Sequence, residues 1–131
     1  MQKQIGSVKE FHTVFGLGVS ETVKGDLGES KNMLRYNLMK EENEEYLEAV
    51  QSNDVVEIAD ALGDMMYILC GTIIEHGMQH IIENVFDEIQ RSNMSKLGED
   101  GKPIYREDGK VLKGPNYFKP DFSKIINKGN R

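Results

Sequence analysis

The chain has 131 residues, 38% hydrophobic and 29% charged, with a net charge of −6. These values fit one rather polar globular domain and exclude a generic nucleic-acid binder. The longest apolar run, Met65 to Ile74, is too short to span a bilayer. No basic-then-apolar opening marks a signal peptide, and the single cysteine, Cys70, excludes an internal disulfide framework, so a cytoplasmic protein is expected.

Val8 to Phe15 reads as a short first helix with Phe11 and Phe15 on one face. Gly16 to Ser30 holds four glycines and reads as a connector or lid. Its Gly16-Leu17-Gly18 is not a phosphate loop, since no apolar strand precedes it and no Gly-Lys-Ser/Thr follows. Good helix formers and the spacing of Leu34, Leu38 and Leu47 predict a second helix over about residues 31–52. Ser52-Asn53-Asp54 is a turn and cap cluster. A third helix follows over about 55–76 and stops before Gly77. It is apolar almost all round, which predicts a central, buried helix. Gly63 and Gly71 inside it weaken the helix, so each is expected to allow a close approach by another helix or a ligand. A fourth helix over about 79–96 turns Ile81, Ile82, Val85, Phe86 and Ile89 to one face.

After Leu97 the composition changes. Asp108-Gly109, flanked by Ile104-Tyr105-Arg106-Glu107 and Lys110-Val111-Leu112-Lys113, is a two-residue hairpin signal. Pro120-Asp121 opens a short closing helix over Phe122 to Ile126. The expected fold is therefore all-α: a bundle of four to five helices over about 8–96 and a basic loop and hairpin tail over about 97–131, forming a single domain. Helices two to four offer more apolar surface than a bundle of this length covers, which predicts a homo-oligomer, a dimer or tetramer.

The charge is divided unevenly. Residues 1–90 hold 17 acids against 6 bases, whereas residues 91–131 hold 5 acids against 10 bases. From Glu41 to Gln90 there are thirteen acids and no Lys or Arg. At about 100° per residue, Glu41, Glu42 and Glu45 share a wedge of roughly 100° on the second helix, and Glu48 falls on the same side. On the third helix Glu57, Asp60 and Asp64 fall within roughly 60°. Two antiparallel helices joined by a short turn bring such faces together. Crowded carboxylates without basic partners need a cation, and oxygen-only donors point to Mg²⁺, with Mn²⁺ as a substitute.

The individual residues differ in how strongly they imply chemistry. Glu44 and Glu48 fit solvated helix surface, and Glu57 fits the third position of a capping box begun by Asp54. Asp60 and Asp64 lie deep in an apolar helix where Asp is a poor helix former. They need a metal, or else Arg35 or a tail lysine, as partner. His76 and His80 are four apart, but Gly77 between them ends the helix and breaks the geometry of a zinc pair.

Glu-Glu-x-x-Glu followed by an acidic pair ahead of Met65-Met66-Tyr67 resembles the all-α nucleoside triphosphate pyrophosphatase superfamily, which includes the MazG-like proteins, the dimeric dUTPases and phosphoribosyl-ATP pyrophosphohydrolase. Phe11-His12 to Phe15-Gly16 resembles the opening helix of the phosphoribosyl-ATP-pyrophosphohydrolase-like branch. Arg91-Ser92-Asn93-Met94-Ser95-Lys96 and Gly109-Lys110-Val111-Leu112-Lys113-Gly114-Pro115 resemble its C-terminal half. The resemblance implies Mg²⁺-dependent hydrolysis of a nucleoside triphosphate to monophosphate and pyrophosphate, in a house-cleaning or dUTPase-like role. It implies Glu42, Glu45, Asp60 and Asp64 as metal ligands and Glu41 as the residue that activates water. Arg91, Lys96 and Lys113 become candidates for the phosphates and Asn93 for the base or sugar. The second motif is usually Glu-x-x-Asp, and here the chain departs: Asp64 as the motif Asp puts Ala61 at the Glu position, whereas Asp60 makes Glu57 fit. Phosphoribosyl-ATP is the alternative substrate. A non-catalytic helical module that binds a cation or a basic partner is the alternative class.

Overall fold

The computed structural model describes residues 1–129; residues 130 and 131, the end of the expected tail, lie outside the described residues. Among the described residues five helices appear in order: α1 (Gln2–Val14), α2 (Glu29–Gln51), α3 (Val55–Glu75), α4 (Ile82–Met94) and α5 (Ser123–Gly129). The chain separates into two compact units, Met1–His80 and Ile81–Arg131. No helix among the described residues is long and apolar enough to cross a membrane.

In the first unit α3 packs against both α1 and α2. The turn between α2 and α3 is short for a local reason. Asn53 takes a positive φ of 52°, a conformation Asn tolerates, and the Asp54 carboxylate then accepts the Glu57 backbone N–H at 3.1 Å as the N-cap of α3. Two long helices are thereby set antiparallel. At the far end α3 stops at Gly77, whose φ is +69° and where a Cβ would strike the Thr22 carbonyl. The connector before α2 runs alongside this end of α3: Ser20 N–H donates to the Ile74 carbonyl at 3.1 Å and Lys24 N–H to that of His76 at 2.9 Å.

The face of α2 turned to α3 is not the leucine face expected from its spacing. Leu34 and Leu47 are exposed, and the buried residues of α2 are Arg35 and Ala49. The stripe Arg35, Leu38, Glu42, Glu45, Ala49 alternates steps of three and four, the seam spacing of paired helices. Polar and small residues therefore occupy positions that leucines would fill in a plain bundle. Likewise α3 is buried mainly toward its C-terminal half, at Cys70, Gly71, Ile73, Ile74 and Glu75, with Ala61 the buried residue of its N-terminal half. Val55, Val56, Leu62, Met66 and Leu69 stay exposed, which corrects the expectation of a helix buried along its whole length. The reason is coverage: α1 and α2 together wrap only two sides of α3.

Of the two interior glycines, Gly71 behaves as expected. A Cβ there would lie 2.7 Å from both the Arg35 guanidinium and the His12 ring. Gly63 does not, for a Cβ there meets nothing within 4 Å.

The second unit is built from α4, an irregular return and the short α5. α4 begins at Ile82 rather than near 79, because residues 78–81 are spent on the turn after α3. Ser92 is buried and donates to the Phe118 carbonyl at 2.8 Å. Gly114 N–H donates to the Lys96 carbonyl at 2.8 Å. The hairpin is a single antiparallel bridge, Tyr105 to Val111. Its loop has three residues, Glu107-Asp108-Gly109, not two: Arg106 N–H meets the Lys110 carbonyl at 2.8 Å, and Gly109 takes a φ of +90°. A type I turn followed by a left-handed glycine is the bulged form of such a loop.

Candidate metal and phosphoanhydride site

The antiparallel pairing fixes which carboxylates meet. Arg35 of α2 lies against the Ile68 carbonyl and Thr72 of α3, at 2.9 and 3.1 Å. About two and three turns further along α2, Glu42 and Glu45 come opposite Asp64, and single oxygens of the three carboxylates lie within 4.8 Å of one another. Past them, Glu45, Glu48, Ala49, Asp54, Glu57 and Asp60 line an open cleft of about 480 Å³ between the ends of the two helices. The acidic faces read from the sequence thus converge, and Asp64 rather than Glu57 shares the tightest cluster.

Glu42 is the pivot of this arrangement. It is half-buried, and its Oε2 is buried with no hydrogen-bond partner among the described residues. Burial, then a hydrogen bond with Glu45, then the charges of Glu45, Asp64 and Asp60 push its carboxyl up to about 7. A carboxylate that resists ionising beside three others is an environment that a cation would stabilise.

Two residues named from the sequence stand apart from the cluster. Glu41 is exposed on α2, outside both the three-carboxylate cluster and the lining of the cleft. Asp60 lines the cleft and acts on Glu42 through its charge. In the second unit, Arg91 pairs with Glu88 at 2.8 Å and lies 4.3 Å over the Phe118 ring. Lys113 lies 4.9 Å over the Tyr117 ring. Asn93 and Lys96 line a cleft of about 400 Å³ with Leu97, Tyr105 and Val111. His76 and His80 fall on separate partners, the Lys24 carbonyl at 2.7 Å and Glu21 at 3.3 Å.

Sequence reading passed over a buried ionic cluster at the other end of the same helix pair. Glu75, 5% exposed, meets Lys31 at 3.1 Å and Arg35 at 3.5 Å. His12 is buried beside it, with Nδ1 2.8 Å from the Gly18 carbonyl. Arg35, offered above as a partner for Asp60 and Asp64, is therefore engaged elsewhere. The available signal was Lys31 and Arg35 four apart on one helical face, with one acid in the apolar end of α3.

The raised Glu42 carboxyl makes stability depend on pH. Its folded value, about 7, lies above the ordinary carboxylate range, so the folded state holds a proton that the unfolded state releases. That contribution is fully present below about pH 4.5 and is lost as pH rises through about 7. Thermal melts in EDTA should show the wild-type midpoint falling from pH 5 to 8, and Glu42→Gln should flatten the slope. A divalent cation should restore the wild-type midpoint at pH 8 more than at pH 5. Equal slopes in both proteins would show that Glu42 carries no such strain.

A pair of antiparallel helices with carboxylate oxygens converging between them, in an all-helical chain, fits the MazG-like class of nucleotide pyrophosphohydrolases. The family model of phosphoribosyl-ATP pyrophosphohydrolase matches residues 8–93, and the chain belongs to that family. It is an enzyme that acts on a phosphoanhydride bond of a nucleotide, in a family generally dependent on a divalent metal. Comparison with curated proteins returns no match.

Proposed function

We propose that the protein hydrolyses a nucleoside triphosphate, ribo or deoxy, between the α and β phosphates, releasing a monophosphate and pyrophosphate in a house-cleaning or dUTPase-like role. The observation that carries this reading is the meeting of Glu42, Glu45 and Asp64 across α2 and α3. The donor set fits Mg²⁺, with Mn²⁺ able to replace it: all donors are carboxylate oxygens, and the buried Oε2 of Glu42 lacks a partner. Glu42, Glu45, Asp60 and Asp64 would hold the ion, which when bound neutralises phosphate charge as pyrophosphate departs.

Glu41 is our assignment for the base. Its exposed carboxylate is open to water, orients a water oxygen toward the α-phosphorus and takes its proton. The new bond joins that oxygen to phosphorus while the bond to the β-phosphate oxygen breaks. Arg91, Lys96 and Lys113 enter as phosphate-binding groups on their charge, and Asn93 as a base- or sugar-binding group on its two-sided amide. Residues 1–131 are read as one catalytic domain. Exposed Leu34, Leu47, Val50, Val55, Val56 and Leu62 support assembly into a homodimer or homotetramer, and a single cysteine fits the cytoplasm.

A second reading, phosphoribosyl-ATP as substrate, is favoured by the description of the matching family. Both readings break the same bond, so substrate choice separates them. Incubation with Mg²⁺ and a panel of NTPs, dNTPs and phosphoribosyl-ATP is expected to give pyrophosphate and monophosphate, most rapidly from a triphosphate, and to stop with EDTA. Orthophosphate plus diphosphate as products, or undiminished turnover in EDTA, would overturn the assignment. Exclusive turnover of phosphoribosyl-ATP would establish the second reading.

A further inference from the structure

On the side of α3 away from α2 lies a groove of about 180 Å³, walled by Val8 of α1 and by Gly63, Met66, Tyr67 and Cys70 of α3, with Lys3, Gln4 and Ser7 of α1 as its further polar lining. Its volume is below that of a pocket for a drug-sized ligand, which leaves room for one flat heterocycle and too little for a helix. Its lining is mostly apolar, and Gln4 presents an amide that both donates and accepts hydrogen bonds. Apolar walls with few convergent polar groups are the composition of a small-molecule site.

Tyr67 links this groove to the carboxylates. At about 100° per residue, it lies about 40° from Gly63 and about 60° from Asp64 around α3, one turn beyond the latter. The groove and the acidic face are therefore neighbours on one helix, with the Tyr67 ring at their boundary. Tyr67 is 42% exposed, and its ring meets that of Phe11 edge to face at 5.6 Å. Phe15 packs against Phe11 with the rings tilted, their centroids 4.4 Å apart. An aromatic ring fixed on one side and open on the other offers a stacking face at little ordering cost. Gly63 leaves the groove floor bare, since a Cβ there meets nothing within 4 Å, although glycine weakens the interior of a helix.

We propose that this groove is the nucleobase pocket: the base stacks on Tyr67 over the floor at Gly63, Gln4 meets its polar edge, and the phosphates extend toward Asp64. The inference rests on the reading of the substrate as a nucleotide. It makes Tyr67 and Gly63 determinants of base selectivity and leaves the carboxylates to the phosphates.

Equilibrium titration calorimetry in Mg²⁺ tests it without turnover. AMP, GMP, CMP, UMP and dUMP are compared with ribose 5-phosphate, which lacks a base. Wild type should bind at least one of the five about tenfold or more tightly than ribose 5-phosphate, the scale of one base–aromatic stack. Tyr67→Ala and Gly63→Leu should bring that ratio close to one and leave ribose 5-phosphate affinity unchanged. Gly63→Leu fills the floor without loss of fold, because its Cβ is unobstructed and leucine favours helix; its melting midpoint should hold or rise. A wild type with no preference for any base overturns the proposal, as does a ratio that survives both substitutions. Light scattering covers the remaining occupant: if Gly63→Leu dissociates an oligomer with the ratio intact, the groove seats a second copy and the proposal falls. If wild type turns over no nucleotide yet the ratios behave as expected, the proposed activity fails and the pocket stands.

Discussion

Asp64→Asn is expected to lower kcat/KM by about a thousandfold while the metal-free protein becomes more stable. Asp64 shares the tight cluster with Glu42 and Glu45, and its charge adds to those that hold the Glu42 carboxyl up to about 7. Removing it relieves repulsion in the empty site and deletes a donor to the cation. A bound metal contributes several kcal/mol of transition-state stabilisation, and each 1.36 kcal/mol is a factor of ten in rate. Asp60→Asn should be similarly inactive, since Asp60 lines the cleft and bears on Glu42. Glu57→Gln should keep most of its rate, because Glu57 sits in the first turn of α3 where its backbone N–H is bound by the Asp54 cap. Steady-state kinetics with thermal melts in EDTA separates the three. An active Asp60→Asn beside an inactive, fully stable Glu57→Gln would place the second acidic motif at Glu57 and Asp60.

The carboxylate faces were legible because side chains three and four apart must share a helical face, and Ser52-Asn53-Asp54 leaves room only for a tight antiparallel turn. Element order was legible for the same reason: Gly77 and the cap at Asp54 punctuate the chain. Burial was less legible. Hydrophobicity marks Leu34 and Leu47 as core, yet the seam with α3 runs through Arg35, Leu38, Glu42, Glu45 and Ala49, and those leucines are exposed. A single chain's pattern does not distinguish an apolar face turned to its own core from one left for another partner. The ionic cluster at Glu75 was illegible as a cluster because its members come from three segments, at residues 12, 31–35 and 75, joined only by tertiary packing.

That cluster sets the register on which the site depends, and its removal gives the largest expected loss of stability. The Glu75 and Arg35 side chains are 4% and 10% exposed, whereas that of Lys31 is 42% exposed. Burial lowers the Arg35 pKa, and the Glu75 charge works against that shift. Arg35 also donates to Thr72 and to the Ile68 carbonyl, so one guanidinium holds three points along α3. Arg35→Met leaves Glu75 buried with only the half-solvated Lys31, and breaking a buried pair from one side costs about 3–5 kcal/mol. Arg35→Met/Glu75→Met removes both charges and should recover much of that loss, because apolar replacement of a whole buried pair is often neutral or better. Urea unfolding midpoints at constant m-value measure both. The functional consequence follows from the shared stripe: Arg35 stands two turns from Glu42 on the same face of α2, and sliding that helix against α3 pulls Glu42 and Glu45 away from Asp64. Arg35→Met should therefore lose divalent-cation affinity as well as stability, and the double variant should keep its stability while regaining less of that affinity. If Arg35→Met unfolds at the wild-type urea concentration and binds the cation as wild type does, the α2–α3 register is held by the apolar contacts alone.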